Sequence, residues 1–135
     1  MSLYNKIVGD RNSKVTPETG IDWRPLTELK QLDEIEAESA TIPAVIFKHS
    51  TTCGISRMAL KNFERDYTVP GAAANLYMLD LHEYREISNA IAQKFGVTHQ
   101  SPQLLLIKDG KVVYDASHGD IDAGTLSHKI TESPV

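Results

Sequence analysis

The order of the apolar patterns along the chain limits the folds that it can adopt. Residues 44–47 form an unbroken apolar run and residues 75–81 form a second strand-like run, and a pattern with helical spacing follows each of them. An unbroken apolar run is typical of a strand that is covered on both faces. Alternation of strands and helices in turn favours an α/β fold with parallel neighbouring strands and helices packed on the sheet.

The last third of the chain has a different pattern. Residues 104–107 and 112–114 are apolar runs separated by Asp109 and Gly110, and Asp-Gly between two such runs predicts a tight β-hairpin. An antiparallel pair should therefore end the sheet. Residues 121–130 then predict a closing helix.

Three further helices are expected before the hairpin. The first is predicted over residues 25–39, with Pro25 in its first turn, Thr27 or a neighbour as its cap, and a brief edge strand before it at Ile21 and Trp23. The third should end in a left-handed cap at Gly96. The second should follow residue 53 and carry its apolar side chains at helical spacing, namely Ile55, Met58, Ala59, Phe63 and Tyr67.

Length and charge restrict the class of protein. A chain of 135 residues is the size of one domain, which we expect over residues 21–135, with a loosely ordered arm at residues 1–20. The net charge of −4 without a basic stripe argues against nucleic-acid binding. No apolar run approaches the about 18 residues of a membrane span, and no secretion signal pattern is present. A cytoplasmic protein is therefore expected.

The single cysteine, Cys53, lies between the first strand-like run and the helical pattern that follows it. One cysteine cannot form an internal disulfide, so a disulfide-stapled secreted fold is excluded and any sulfur chemistry must be intermolecular. Thr51 or Thr52 is predicted to cap the helix, which would place the sulfur at a helix N-terminus.

That position favours the thiolate, which is the nucleophilic form of cysteine. Cationic side chains from Lys48, His49 or Arg57 should add to the effect of the helix. The five histidines of the chain have no metal-ligand spacing, so no metal site is expected.

Two stretches of the sequence resemble thioredoxins, with Phe-Gly-Val at residues 95–97 and Ser-Pro-Gln-Leu-Leu-Leu-Ile-Lys-Asp-Gly-Lys-Val at residues 101–112. The resemblance implies a thioredoxin-like fold, with a central mixed β-sheet of four to five strands flanked by helices on both faces. It also implies that Pro102 follows a cis peptide bond and lies beside the sulfur of Cys53. The resolving cysteine of thioredoxins is replaced by Ser56.

The phrase Phe-Lys-His-Ser-Thr-Thr-Cys-Gly-Ile-Ser at residues 47–56 is similar to that of monothiol bacilliredoxins, and the resemblance extends over about residues 24–130. It implies an enzyme that exchanges thiols and disulfides and removes bacillithiol from client proteins. Bacillithiol would be a co-substrate, with no tightly bound cofactor, and a low-molecular-weight thiol or thiol reductase would recycle the protein. The implied catalytic residues are Cys53, Ser56 and Pro102, and the implied substrate-binding residues are Lys48, His49, Thr52, Gly54, Arg57 and Ser101.

Two alternatives remain open at this stage. Monothiol glutaredoxins share the Cys-X-X-Ser motif, bind glutathione and often bridge an iron–sulfur cluster, but they carry an aromatic residue at the position of Ile55. A thioredoxin-like domain can also serve as a non-catalytic interaction module, in which case partner binding would not need Cys53.

Overall fold

The computed structural model describes residues 21–132, in which five strands form one sheet and four α-helices pack on it. The predicted arm at residues 1–20 lies outside the described residues. Short 3-10 helices occur at Gly71–Ala73 and His118–Asp120. The remaining elements, in chain order, are β1 (Arg24–Pro25), α1 (Lys30–Glu38), β2 (Ala44–His49), α2 (Gly54–Asp66), β3 (Asn75–Asp80), α3 (Arg85–Phe95), β4 (Gln103–Lys108), β5 (Lys111–Ser117) and α4 (Ala123–Thr131).

The sheet is mixed, with the strand order β1-β3-β2-β4-β5. β2 lies at its centre, parallel to β3 and antiparallel to β4, and all six residues of β2 are buried. β1 pairs parallel to β3 at one edge, and β4 and β5 form the antiparallel hairpin at the other. The predicted α/β fold and the burial of the first apolar run on both faces are confirmed.

Both faces of the sheet are covered by helices, because alternate side chains of each strand point to opposite faces. On one face, Val45 and Phe47 of β2 pack against Phe63 of α2 and against Leu126 and Ile130 of α4. On the other face, a second cluster joins β2 and its neighbours to α1 and α3, through Leu32, Ile35, Ala44, Ile46, Ile87 and Ile91.

Two turns have the left-handed backbone conformation that the sequence predicts. Asp109 and Gly110, between β4 and β5, have φ angles of 52° and 74°, the left-handed geometry that a two-residue hairpin turn requires. Gly96 ends α3 with a φ of 68°, and its N–H donates to the carbonyl of Ala92. The predicted hairpin and helix cap are confirmed.

The first helix begins later than predicted. Pro25 belongs to the edge strand β1, where it pairs with Met78, and the N–H of Leu26 donates to the carbonyl of Met78 at 2.9 Å. Proline suits an edge strand because its missing N–H removes no central ladder bond. Thr27 does not cap a helix; its own N–H donates to the side chain of Gln31, which holds the connection to α1.

Only some of the apolar side chains predicted at helical spacing in α2 face the core. Phe63 and Tyr67 are buried, whereas Ile55 and Met58 are 66% and 60% exposed. The exposed pair lies in the first part of α2. Within residues 21–132, no helix is both long and apolar enough to cross a membrane.

Candidate functional site

The turn after β2 places the sulfur at the start of α2. Cys53 is the N-cap residue of α2, and its N–H donates to the carbonyl of Ser50 at 3.2 Å to close the turn. No side chain caps this helix, so the prediction that Thr51 or Thr52 does so is wrong. The Cys53 side chain itself occupies the position from which a capping oxygen normally accepts the first N–H groups.

The surroundings of Cys53 leave it accessible. Its side chain is half-buried, and Thr52 and Gly54 on either side are exposed. The N–H groups of the first turn of α2 and the positive end of the helix dipole therefore face a sulfur that a partner can reach. This is the arrangement that a nucleophilic thiolate needs.

Ser56, at the position of a resolving cysteine, is fully buried. Its Oγ accepts a hydrogen bond from the N–H of Ser50 at 3.0 Å and lies 2.8 Å from Nδ1 of His49. The structure thus brings together two predicted site residues, His49 and Ser56, beneath the turn that carries Cys53.

Burial lowers the pKa of His49. The carboxylates of Asp80 and Glu64 oppose this shift, and the guanidinium of Arg57 adds to it. Arg57 is exposed on α2, and its Nη1 donates to the carbonyl of Thr51 at 3.2 Å. Its positive charge therefore lies against the turn that precedes Cys53.

Sequence reasoning missed His82. Its Nε2 lies 2.8 Å from Oγ of Ser50 and 3.0 Å from Oγ1 of Thr52, so it joins the loop after β3 to the turn before Cys53. Parallel strands end at the same edge of a sheet. His82 closely follows β3, and β3 lies beside β2, the strand that leads to Cys53. That placement is a signal from which His82 could have been found.

Lys48 lies elsewhere. It is fully buried, and it points to the opposite face from its neighbour His49. Its Nζ lies 3.4 Å from the carbonyl of Ser88 and 3.3 Å from Nδ1 of His99. Burial lowers the pKa of Lys48 to about 8. A direct contact between Lys48 and a substrate, as predicted, is not available in this structure because the side chain has no exposed surface.

Pro102 lies at the same edge of the sheet as Cys53. The next residue, Gln103, pairs with Lys48 near the end of β2. The peptide bond between Ser101 and Pro102 is cis, the isomer that the resemblance to thioredoxins implies. The carbonyl of Pro102 accepts from the N–H of His118 at 3.1 Å, whereas Ser101 makes no backbone hydrogen bond within the described residues.

An apolar groove of about 370 Å³ opens along the first turns of α2. The exposed side chains of Ile55 and Met58 form one wall, and the 3-10 helix that contains His118 and Gly119 forms the other. The groove begins at Gly54, next to Cys53. Among residues 21–132, no three His, Cys, Asp or Glu side chains are grouped so that they could hold a metal ion.

Comparison with solved structures agrees with this architecture. A candidate oxidoreductase with a thioredoxin fold is 30% identical to the chain, with a TM-score of 0.67 over 80% of this chain and 92% of that one. Thioredoxin from Malassezia sympodialis is 19% identical, with a TM-score of 0.63 over 90% and 96% of the two chains. Thioredoxin from Trypanosoma brucei brucei is 16% identical, with a TM-score of 0.63 over 81% and 88%. The last two likenesses show the fold.

Residues 24–126 match the family profile described as monothiol bacilliredoxin BrxC. The match covers most of the chain and includes the whole stretch from β1 to the middle of α4. This chain is therefore a thiol-redox protein with a thioredoxin fold, and it belongs to the monothiol bacilliredoxin family.

Proposed function

We propose that this protein removes bacillithiol from mixed disulfides on client proteins, with Cys53 as its single nucleophile. The observation that carries the proposal is the position of Cys53: an accessible thiol at the N-cap of α2, with a buried serine three residues later. The family match supports the choice of bacillithiol as the small thiol.

In the first step, the Cys53 thiolate attacks the bacillithiol sulfur of a client–S–S–bacillithiol disulfide. The disulfide bond of the client breaks, a new disulfide forms between Cys53 and bacillithiol, and the client leaves as a thiolate that takes a proton from water. The client cysteine is reduced and Cys53 is oxidised. No other co-reactant is needed for this step.

The site residues contribute before and during this attack. The N–H groups of the first turn of α2 and the charge of Arg57 stabilise the thiolate. The backbone groups of Ser101, which make no backbone hydrogen bond to another residue of the range 21–132, can pair with an extended client segment next to Pro102. The exposed residues Thr52 and Gly54 leave space for the incoming disulfide.

The second step requires a thiol from outside the protein. Ser56 cannot form a disulfide, so Cys53 cannot release bacillithiol by an internal attack. A second low-molecular-weight thiol, as its thiolate, attacks the bacillithiol sulfur, forms a new disulfide with it and frees Cys53. A thiol reductase can supply the same two electrons through its own cysteines.

Intact mass spectrometry of the reduced protein with a bacillithiolated client tests the proposal. We expect the client to lose one bacillithiol while the wild-type protein gains one, with no transfer to Cys53→Ser. In Ser56→Cys, the adduct should be lost again as an internal disulfide forms between positions 53 and 56. A glutathionylated form of the same client is the matched control.

The outcomes separate the alternatives. An unchanged bacillithiolated client beside an unmodified Cys53 contradicts the exchange reaction. Transfer from the glutathionylated client alone contradicts bacillithiol as the co-substrate and favours glutaredoxin-like chemistry. Equal binding of a client by wild type and Cys53→Ala, without transfer, would indicate an interaction module.

A further inference from the structure

The Ser56 hydroxyl has two polar neighbours but only one hydrogen. One lone pair of its Oγ accepts from the N–H of Ser50 at 3.0 Å. Nδ1 of His49 lies 2.8 Å away, on a ring that is itself buried. A hydroxyl has one hydrogen and two lone pairs, so the protonation of Nδ1 decides where the Ser56 hydrogen points.

Two arrangements satisfy these contacts. If Nδ1 of His49 carries no hydrogen, Ser56 donates to it and has no hydrogen left for another acceptor. If Nδ1 carries a hydrogen, His49 donates to Ser56, both lone pairs of Oγ are used, and the hydroxyl hydrogen is free. A neutral ring with its hydrogen on Nδ1 is sufficient for the second arrangement.

Ser56 Oγ lies within hydrogen-bond distance of His49 and Ser50, and its hydrogen bond to Cys53 is inferred from the positions of the two residues on α2. Cys53 is the N-cap of α2 and Ser56 is the third residue of the helix. Side chains three positions apart lie on the same side of a helix, with Cβ atoms about 5–6 Å apart. A thiolate at Cys53 would offer Ser56 a charged acceptor on that side of the helix.

We propose that His49 is a positioning residue that acts on Cys53 through Ser56. His49 donates from Nδ1 to Ser56 Oγ and thereby directs the Ser56 hydroxyl hydrogen to Cys53 Sγ, where it stabilises the thiolate. The buried serine is thus a relay from the histidine to the sulfur. This inference rests on the proposed role of Cys53 as the nucleophile.

The surroundings of His49 suit this role. Its ring meets the ring of Phe47 edge-on, with centroids 6.3 Å apart, which restricts its orientation. The charged groups that act on it are Asp80 at the end of β3 and Glu64 and Arg57 on α2. His82 contacts the side chain of Ser50 and joins the same network from the loop after β3.

A double-mutant cycle tests the relay by titration of the thiolate ultraviolet absorbance in the free protein. Ser56→Ala and His49→Leu should each move the titration midpoint up by about one pH unit, which is about tenfold less thiolate at a given pH below it. The double variant should show no further shift, because both changes remove one path. His49→Asn, whose amide nitrogen can replace Nδ1 as a donor, should keep the wild-type midpoint.

A purely structural role for His49 and Ser56 would lower the free energy of unfolding in urea and leave the midpoint unchanged, and that result overturns the proposal. Additive shifts in the double variant also overturn it, because His49 would then act on the sulfur by charge alone. Nitrogen-15 NMR of the wild-type imidazole needs no variant: a hydrogen on Nδ1 while Cys53 is thiolate supports the relay, and a bare Nδ1 refutes it. No client is present in these measurements, so their result is independent of bacillithiol transfer.

Discussion

Lys48 provides a sharp test of the energetics of this fold. The side chain is fully buried at the centre of the sheet, and its amine contacts a backbone carbonyl and a histidine rather than a carboxylate. Removal of a charged amine from water without an opposite charge is costly. The cost appears as a pKa of about 8 in the folded protein, against 10.5 for an ordinary lysine.

The sign of the pH dependence follows from these two pKa values. Below pH 8, Lys48 is charged in both the folded and the unfolded chain, and the folded state bears the full cost of burial. Between about pH 8 and pH 10.5 the folded lysine has lost its proton while the unfolded one still binds it. Unfolding then takes up a proton, so the contribution of Lys48 to the free energy of unfolding rises by about 1.4 kcal/mol per pH unit, to about 3 kcal/mol in all.

Lys48→Met removes this contribution while it keeps a similar volume. Between pH 7 and pH 10 the parent should gain about 2 kcal/mol in free energy of unfolding from Lys48, and the variant should not. The free energy of unfolding of the variant minus that of the parent should therefore fall by about 2 kcal/mol over this range. Urea unfolding at several pH values measures it, in a Cys53→Ser background that avoids thiol reactions. Burial also raises the pKa of Tyr67 to about 12, which lowers the free energy of unfolding as the pH rises. Because Tyr67 is present in both proteins, this effect cancels when the variant is compared with the parent.

The exposed Lys61 of α2 is the matched control, because Lys61→Met removes an amine that is already in water. The difference in free energy of unfolding between Lys61→Met and the parent should not change with pH. A difference for Lys48→Met that is equally flat from pH 7 to pH 10 would refute the reasoning that a buried, unpaired amine destabilises the folded state.

Two further predictions concern local geometry and are checked by urea unfolding. Gly96→Ala should cost about 1 kcal/mol because residue 96 has a φ of 68°, whereas Gly54→Ala, with open space and no positive φ, should be neutral. Asp122→Ala should cost about 1 kcal/mol at pH 7, because Asp122 accepts from the N–H of Thr125 at 2.9 Å as the N-cap of α4. The hydrogen bonds from Thr125 lower the pKa of Asp122, so this cost should shrink as acid protonates the carboxyl. A cost at Gly54 equal to that at Gly96, or a cost at Asp122 unchanged at low pH, would contradict these assignments.

The parts of the fold that depend on neighbouring residues were predictable. The buried strand β2, the turn at Asp109 and Gly110, and the left-handed end of α3 at Gly96 each follow from a short stretch of sequence. The start of the first helix was not predictable in this way. Pro25 satisfies the pattern of a helix start, but a parallel pairing with Met78, 53 residues away, places it in the sheet.

The candidate site also has parts that the sequence predicts and parts that it does not. The sequence placed Cys53 at a helix N-terminus and Ser56 three residues after it, and neither statement needs a long-range contact. The prediction that Thr51 or Thr52 caps α2 was wrong because both residues lie within the turn that the hydrogen bond from Cys53 to Ser50 closes. Reaction roles for Ser101, Pro102 and the substrate-binding residues stay predictions that the exchange assay addresses.

By itself, the sequence determined most of the strands and helices, the two left-handed glycines and the absence of a resolving cysteine, because these depend on side-chain type and short-range spacing. Only the tertiary structure decided that the adjacent residues Lys48 and His49 have different surroundings. Alternation along a strand sends them to opposite faces, where one becomes a buried amine beside the carbonyl of Ser88 and the other a partner of Ser56. The contact of His82 with Ser50, 32 residues away, likewise exists only because β3 and β2 end together at one edge of the sheet.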